Sequence, residues 1–520
     1  MHVSSFPASV RSGNVARLYA ETARTHPDRL AVEMGGRSLT HAEYDAHASR
    51  FAGGLRELGL DPGDRLALYA PNSSEYLIGA LGALKAGTPF TPMDPKYQPR
   101  EIRYQLRDSD ARAVVTHADL RERLGDALET MNTELQVVTI GADRETDSDA
   151  VTGDVSFAEV DSRPLVATRC DEDVAMQPYT SGTTGDPKGV LLTHENLRAQ
   201  SLMGFEKTNL PAERERFLSV LPLSHISGFV NRTWQPLVRG GSVYLRDPAE
   251  WDPESAMADI EEHDITKFGA VTAMYVDIVN HESFGDYDLS SLEEAMEGGT
   301  KMPTAVQEQF EDATGVGMYE AYGLTEAAGA THFGFDAMAG PKLGTIGQPH
   351  RATSCKVVDD DGNELPPGQT GELLIRGPNV MQGYHDKPDA TDEAFTETGY
   401  LRTGDVVRCD EDNYYEILDR KSSVIVTGGY NVYPAEVENV LYDHPAVVDA
   451  AVVGVPDERR NETVKAFVVP ESEIATTEEE LRAHCLDQLA AYKHPREIEL
   501  VKTLPRTTSG KVKKFELNSD

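Results

Sequence analysis

The amino-acid sequence predicts an α/β protein with a large N-terminal domain of helix-covered parallel sheets and a small β subdomain, followed by a small α+β C-terminal domain. Short apolar runs alternate with helical periodicity through the first part of the chain, which is typical of βαβ units. From Gly344 onward Gly/Pro turns separate short strands, and after Arg420 a self-contained α+β pattern begins. The expected domains are residues 1–419 and 420–520.

The βαβ pattern is clearest between residues 29 and 141. Leu30–Met34, Arg65–Tyr69 and residues 113–115 are strand candidates, and residues 41–58 repeat apolar side chains at helical spacing. Further strands are expected at 217–223, 243–245 and 267–271. Such alternation favours parallel sheets covered by helices on both faces.

The segment after Arg420 has the length and pattern of a separate unit. Its apolar runs predict strands at 424–426, 447–455 and 465–469, and its helical spacing predicts helices at 434–444 and 477–491. We therefore place the domain boundary at Arg420, where the turn-rich strands end.

The net charge limits the classes of molecule that the protein is expected to bind. The 520 residues contain 49 Lys+Arg and 87 Asp+Glu, a formal charge of −38, and Arg outnumbers Lys by 33 to 16. A carboxylate-rich, lysine-poor surface repels nucleic acid and anionic lipid, and it favours a halophilic protein whose self-repulsion is screened by salt. An acidic protein of ordinary salt requirement is the alternative.

Cysteine and hydropathy patterns indicate the compartment. The four cysteines lie far apart with no CxxC pair, which supports neither a zinc site nor a disulfide framework. The N-terminus has no apolar signal core, and no apolar run is long enough to span a bilayer. We expect a cytoplasmic protein with no integral membrane segment, and the sequence does not indicate its oligomeric state.

Residues 179–190 form the most informative segment. Glycines let the backbone approach a polyanion, hydroxyls add donors and a lysine adds charge, so the segment predicts a triphosphate cradle. Lys188 is followed by Gly189 rather than Ser or Thr, so this is not the Walker pattern. A flexible linker is the alternative, but strand-like residues flank the run. The expected phosphate-binding residues are Thr180, Ser181, Gly182, Thr183, Thr184, Gly185 and Lys188.

This loop resembles the phosphate-binding signature of the adenylate-forming superfamily, which includes acyl-CoA synthetases, luciferases and adenylation domains of nonribosomal peptide synthetases. Other segments resemble the superfamily's signatures in the same order along nearly the whole chain: residues 84–87 with 92–95, 221–225, 322–326, 400–405, 418–420 and 505–511. The resemblance implies that a carboxylic acid attacks the α-phosphate of ATP, giving an acyl-AMP that a thiol then consumes. ATP, Mg²⁺ and coenzyme A are the expected cofactor and co-substrates.

The resemblance also assigns residues to the nucleotide. Glu326 resembles the Mg²⁺ ligand, and Thr325 a hydrogen-bond donor to the α-phosphate. Tyr322 with Gly323 would face adenine on one side, and Gly299 with Thr300, following Gly298, on the other. Asp405 resembles the ribose ligand, with Arg420 reaching the ribose or the phosphates. A core tyrosine is the alternative for Tyr322, and one more surface carboxylate is the alternative for Glu326.

The remaining assignments concern the acid and the thiol. Lys511 resembles the lysine that bridges the attacking carboxylate and the α-phosphate, and His225 lies where the family places a residue at the pocket mouth, although a structural histidine is the alternative. Gly428 and Gly429 resemble the loop that shapes the thiol tunnel. In this family the C-terminal domain rotates between the half-reactions, and the hinge position, usually Asp or Lys, is Ser422 here.

Two acceptors remain open, free coenzyme A and a separate carrier protein. The chain ends nine residues after Lys511, which favours coenzyme A. Residues 227–230 are uncharged, which argues against an amino-acid substrate. With Phe229, Val230 and the strip Gly298–Gly299 as the expected pocket, and no cation evident there, we expect a medium- or long-chain fatty acid, with an aryl acid as the alternative. A degenerate nucleotide sensor is disfavoured because Glu326 and Lys511 are both present.

The charge balance makes a testable prediction about stability. In dilute buffer the like charges repel one another, whereas the Debye length falls from about 10 Å at 0.1 M to about 3 Å at 1 M salt. We expect the melting temperature, measured by calorimetry, to rise steeply between about 0.1 M and multimolar KCl. A melting temperature independent of KCl would refute the halophilic interpretation.

Overall fold

Two mixed sheets, each mostly parallel, build the first part of the protein. The computed structural model describes residues 10–131, 135–141, 154–180, 187–206, 210–298, 302, 304–334, 342–428, 430–457, 459–471, 476–506 and 512–517. In chain order the strands of this part are β1 Leu30–Met34, β2 Arg37–Thr40, β3 Arg65–Tyr69, β4 Phe90–Met93, β5 Ala111–His117, β6 Gln136–Ile140, β7 Val155–Ser156, β8 Val174–Met176, β9 Tyr179–Thr180, β10 Lys188–Thr193, β11 Arg216–Ser219, β12 Ser242–Leu245, β13 Lys267–Ala270, β14 Glu294–Glu297, β15 Met318–Leu324, β16 Gly329–Phe333 and β17 Gln348–Pro349.

The later strands belong mostly to two further sheets. They are β18 Ser354–Val358, β19 Thr370–Arg376, β20 Gly383–Tyr384, β21 Leu401–Cys409, β22 Tyr415–Arg420, β23 Ile425–Thr427, β24 Tyr430–Val432, β25 Val447–Asp457, β26 Asn461–Pro470 and β27 Glu497–Leu500.

Helices connect and cover these strands. They are α1 Ala16–Thr25, α2 His41–Glu57, α3 Ser74–Ala86, α4 Pro99–Asp108, α5 Arg121–Leu128, α6 His194–Met203, α7 Gln235–Arg239, α8 Pro253–Glu262, α9 Thr272–Val279, α10 Thr304–Thr314, α11 Pro388–Ala394, α12 Pro434–Tyr442, α13 Glu478–Gln488 and α14 Lys514–Leu517. A π-helix, Ser227–Trp234, leads directly into α7. No helix in these described segments is long and apolar enough to cross a bilayer.

The first sheet has the order β17-β16-β15-β14-β13-β11-β12-β1-β2 among the described strands. Its strands from β15 through β1 are parallel, and β16, β17 and β2 add antiparallel edges. The second sheet runs β20-β10-β8-β4-β3-β5-β6-β7, and β9 pairs with β10. Ligands of open parallel sheets bind beyond the carboxyl ends of the strands, so the functional residues are expected near the ends of β13, β14 and β15.

The β subdomain is the antiparallel sheet β18-β19-β21-β22, which confirms the short strands separated by turns that the sequence predicts after Gly344. The last sheet, β24-β23-β26-β25 with β27 beside β26, takes all of its described strands from residues after 424. A short 3₁₀ turn, Lys421–Ser423, connects these two sheets. The structure is thus the predicted α/β fold with a β subdomain and a small C-terminal α+β unit.

Local sequence signals explain several of the element ends. Thr40 caps α2, because its hydroxyl accepts from the amide of Glu43 while the Glu43 carboxylate accepts from the amide of Thr40. Ser73 caps α3 at its N-terminus, and Gly87 ends that helix with a φ of 73°, a left-handed conformation that favours glycine. The strand candidates Leu30–Met34 and Arg65–Tyr69 are confirmed with those bounds as β1 and β3.

Candidate active site

A buried carboxylate joins the first sheet to the β subdomain. Asp405 on β21 pairs in register with Arg420 on β22, and its side chain reaches Tyr322 on β15. The Tyr322 hydroxyl donates to Oδ2 of Asp405 at 2.5 Å, and Nε of Arg420 lies 2.7 Å from Oδ1. Three residues assigned to the nucleotide from sequence therefore lie in contact, at the carboxyl end of β15.

The charges in this cluster support one another. Burial and the Asp405 carboxylate raise the pKa of Tyr322 well above its ordinary value, so its phenol remains a hydrogen-bond donor. Burial lowers the pKa of Arg420, but the neighbouring acidic groups, with Asp405 the largest and Glu326 and Asp419 adding to it, together outweigh this, and the net shift is upward. Asp405, only 4% exposed, thus holds a negative charge between two donors.

A second cluster lies at the other end of the segment 322–326. Glu326 lies in the 3₁₀ turn Thr325–Ala327, and its Oε1 accepts from the hydroxyl of Tyr384 at 2.9 Å. The ammonium of Lys188 lies 4.4 Å from the centre of the Tyr384 ring, because β10 and β20 pair in register. Tyr384 therefore connects the phosphate-loop lysine with the predicted metal ligand.

The Glu326 carboxylate suits Mg²⁺. Oε2 takes part in no hydrogen bond or ion pair within the described residues, and a hard carboxylate oxygen beside phosphates is the ligand that Mg²⁺ prefers. Burial and this carboxylate both raise the pKa of Tyr384, so the phenol donates rather than competing as an anion. Tyr384 thereby orients the carboxylate without neutralising its charge.

The ends of the phosphate loop are fixed by strand pairing. Thr180 on β9 lies opposite Lys188 on β10, and Tyr179 lies opposite Gly189. A Cβ at Gly189 would lie 2.7 Å from Nε2 of the Gln177 side chain and 3.1 Å from the Tyr179 hydroxyl, so a larger residue at this strand position would displace these side chains. Residues 181–186 between these strands lie outside the described residues.

Close backbone packing explains two glycines near the cluster formed by Tyr322, Asp405 and Arg420. A Cβ at Gly323 would lie 2.2 Å from the carbonyl oxygen of Gly329, so only glycine lets β15 approach β16 here. A Cβ at Gly298 would lie 3.0 Å from the carbonyl oxygen of Ala321. Both positions thus help to form the narrow strip beside Tyr322.

His225 lies at the start of the segment that becomes the π-helix. Its Nε2 is 3.9 Å from Oδ2 of Asp94, a carboxylate only 6% exposed, and its carbonyl oxygen accepts from the amide of Phe229. The contact ties residues 221–225 to residues 92–95, two of the segments identified from sequence. A role for His225 with the acid stays a prediction.

The hinge segment is exposed and short. Ser422 is exposed within the turn Lys421–Ser423, and the Lys421 ammonium lies 3.3 Å from Glu372 and 2.9 Å from Asp360. Gly428, with a φ of 58°, lies on the β23–β24 hairpin, where its amide donates to the carbonyl of Arg460. The structure thus holds Gly428 within the C-terminal sheet rather than in contact with the Tyr322 cluster.

Several predicted residues lie outside the described residues and stay predictions. They are Ser181, Gly182, Thr183, Thr184, Gly185, Gly299, Thr300, Gly429 and Lys511.

The acyl pocket expected from sequence stays a prediction, and two of its residues lie in the core. Phe229 packs edge-to-face on Phe90 and stacked on Trp234, and Val230 is fully buried beside it. Arg232, three residues after Phe229, places its guanidinium against Gly298. Sequence reasoning missed two residues of interest, Arg232 and Tyr384. The one sequence signal for Arg232 was its spacing within residues 225–234.

Tyr384 provides a test of this site. Tyr384→Phe removes the donor that orients Glu326, so we expect the Mg²⁺ concentration for half-maximal ATP–pyrophosphate exchange to rise severalfold, with a smaller change in the saturated rate. Tyr287→Phe, which breaks a similar Tyr–Glu hydrogen bond on the exposed surface, is the control. An unchanged Mg²⁺ dependence in Tyr384→Phe would contradict this orienting role.

Comparison with known proteins agrees with this geometry. Residues 19–385 match the family model of the AMP-binding enzyme, and residues 436–511 match that of the AMP-binding enzyme C-terminal domain. A feruloyl-CoA synthase from Amycolatopsis sp. is 36% identical over 495 residues, covering 95% of this chain and 96% of the relative. A long-chain-fatty-acid–CoA ligase from Bacillus subtilis is 33% identical over 521 residues, covering 95% and 92%.

The fold comparison gives the same result. The crystal structure of the anthranilate CoA ligase AuaEII in complex with anthranoyl-AMP superposes with a TM-score of 0.91 at 26% identity, covering 100% of this chain and 98% of that one. A benzoate CoA ligase from Burkholderia xenovorans superposes with a TM-score of 0.86 at 26% identity, covering 97% and 100%. The chain belongs to the AMP-binding enzyme family.

Proposed function

We propose that this chain, an AMP-forming acyl-CoA synthetase, uses the residues around Tyr322 and Glu326 to activate a carboxylic acid with ATP and to transfer the acyl group to coenzyme A. In the first half-reaction a carboxylate oxygen attacks the α-phosphorus and pyrophosphate leaves. In the second the thiol sulfur attacks the acyl carbonyl and AMP leaves. Both steps need negative charge to be held and neutralised in place.

The assignment of these residues to the parts of the nucleotide rests on one observation. Tyr322 contacts Asp405, while Glu326, four residues later, contacts Tyr384 beside Lys188. Four residues span at most about 13 Å, a distance comparable with that from a ribose to the end of a triphosphate. One short segment thus presents a ribose-binding carboxylate at one end and the phosphate- and metal-binding groups at the other.

Each residue has a part in this arrangement. Asp405 accepts from the ribose hydroxyls, and Arg420 neutralises it and reaches toward the phosphates. Thr325 donates to the α-phosphate, and Lys188 attracts the triphosphate. Glu326 would hold Mg²⁺, which neutralises phosphate charge when bound. Lys511 brings the incoming carboxylate to the α-phosphate.

The division at residues 419 and 420 and the rotation of the C-terminal domain are part of the proposal. The exposed turn at Ser422, between two separately hydrogen-bonded sheets, supports a hinge there. A cytoplasmic location is also proposed, supported by the four free cysteines and by the need for ATP and coenzyme A.

Lys511 separates the two half-reactions. We expect Lys511→Ala to lower acyl-AMP formation, measured by ATP–pyrophosphate exchange, by about a hundredfold or more, because the charge acts on the transition state. Conversion of supplied acyl-AMP to the thioester should be largely retained.

Lys513→Ala is the matched control, because Lys513 lies two residues away, half-buried, with its ammonium 2.9 Å from Glu516. It should leave both half-reactions near the wild-type rate. Equal losses of the two half-reactions in Lys511→Ala would contradict the role of Lys511, and the absence of exchange by the wild-type protein with every acid would contradict the proposed function.

A further inference from the structure

The acid's identity is open, because the relatives include both fatty-acid and aryl-acid ligases, and Arg232 bears on it directly. Arg232 lies in the π-helix Ser227–Trp234, a rare geometry that often occurs at functional sites. Its side chain crosses the carboxyl ends of β13 and β14. A Cβ at Gly269 would lie 2.5 Å from its Nε, and a Cβ at Gly298 would lie 3.7 Å from its Nη2.

The guanidinium is buried without a matching anion. Arg232 is 3% exposed, and within the part of the chain that the structure describes its Nε has no hydrogen-bond partner. Its Nη1 approaches only the Met296 sulfur, at 3.8 Å, and no carboxylate of the described residues lies within 4.0 Å. A guanidinium remains charged at any physiological pH, so leaving one buried and unpaired is costly unless a ligand supplies the anion.

The neighbouring charged groups form ion pairs with one another, although Oε2 of Glu215 has no hydrogen-bond partner among the described residues. A cavity of about 50 Å³ lies beside Arg232 and is also lined by Glu215, Arg239, Lys267 and Glu294. Arg239 and Lys267 lie 3.2 and 3.3 Å from Glu215, and Lys267 lies 2.8 Å from Glu294. These lining residues comprise three cations and two carboxylates, so Arg232 is the surplus cation.

Glu297 is the remaining carboxylate whose negative charge acts on Arg232, and it raises the pKa of the guanidinium. It lies beyond salt-bridge distance and accepts from the Thr272 hydroxyl at 2.9 Å. Tyr275 also faces the guanidinium, and it is a neutral phenol whose hydroxyl donates to backbone carbonyls. Neither neighbour supplies a hydrogen-bonded anion.

Arg232 is the residue that the cavity shares with the strip proposed for the acyl-AMP. Its guanidinium contacts Gly298, and it lines the cavity together with Asn231 and Ala330. The Asn231 amide oxygen packs on Gly329, three residues after Glu326. A space of this size is several times what one water molecule needs and accommodates a carboxylate.

Resting on the proposed function, we infer that the acid substrate carries a second carboxylate at the far end of its tail and that the Arg232 guanidinium binds it. A guanidinium pairs with a carboxylate through two parallel hydrogen bonds, and among the described residues Nε has no partner while Nη1 reaches only the Met296 sulfur. Arg232 is thus a specificity-determining residue. The plain aliphatic tail expected from sequence would leave it unpaired.

The test compares acids of matched length with the wild-type protein. AMP release with coenzyme A is measured for monocarboxylic acids and α,ω-dicarboxylic acids of about four to ten carbons, including aryl diacids. At the best length we expect kcat/KM for the diacid to exceed that for the monoacid about a hundredfold or more. A preference for monoacids at every length, or for a neutral amide or ketone in place of the second carboxylate, overturns the inference.

Variants of Arg232 provide an independent readout. In Arg232→Met the ratio of kcat/KM for the diacid to that for the monoacid should fall about a hundredfold or more, and Arg232→Lys should recover part of this preference. The melting temperature of Arg232→Met should be unchanged or higher, and diacid should stabilise the wild type but not this variant. Arg198→Met, which removes a buried arginine paired with Asp171, is the control and should melt lower.

A loss of melting temperature in Arg232→Met equal to that in Arg198→Met, together with an unchanged diacid preference, would show a structural role and overturn the inference. If the wild type exchanges ATP and pyrophosphate with monoacids alone, only the second carboxylate is refuted. If no acid supports exchange, the proposed function itself fails.

Discussion

The buried carboxylate of Asp405 is the constraint on which the nucleotide site depends. It is held by the Tyr322 hydroxyl from the first sheet and by Arg420 from the neighbouring strand of the β subdomain. A carboxylate with so little exposure requires such partners, because an unpaired buried charge would be strongly destabilising. The same pairing fixes β21 and β22 at the end of β15, and Arg420 is the last residue before the exposed turn that leads to the C-terminal sheet. The proposed ribose ligand is therefore paired with the residue that directly precedes the turn of the proposed hinge.

From this cluster the rest of the site follows the chain. Residues 322–326 run from the ribose cluster to Glu326, and close packing at Gly323 holds the segment against β16. Tyr384 then links Glu326 to Lys188, so that the proposed metal ligand and the lysine of the proposed phosphate loop meet at one phenol. Burial and a neighbouring carboxylate raise the pKa of both phenols, Tyr322 and Tyr384, and keep them as hydrogen-bond donors. The result is a row of fixed charges along which an extended nucleotide can lie, with Arg232 beyond the strip where the acid's tail would extend.

Sequence alone predicted the parts of this arrangement that depend on local pattern. The strands β1 and β3, the α2 helix and the nucleotide residues from Tyr322 to Arg420 follow from periodicity and from motif resemblance. Tyr384 was missed because its role comes from the pairing of β20 with β10, nearly 200 residues earlier in the chain, which no local pattern encodes. Arg232 was missed because the apolar residues before it indicated a lipid-like pocket, whereas the π-helix turns Phe229 into the core and Arg232 toward Gly298. Strand register placed Tyr384 and helix phase placed Arg232. Both are set by tertiary structure, so local sequence patterns did not reveal them.

The central claim is tested most directly by calorimetry. The affinity for ATP and the affinity for 2′,3′-dideoxy-ATP are measured with the wild-type protein and with Asp405→Asn. A carboxylate has about four acceptor sites, so contacts with Tyr322 and Arg420 are compatible with binding two ribose hydroxyls. Charge-assisted hydrogen bonds to those hydroxyls predict at least a tenfold preference of the wild type for ATP over the dideoxy nucleotide, and little or no preference in Asp405→Asn. An equal preference in both proteins would show that Asp405 does not bind the ribose, and the site would have to be placed elsewhere.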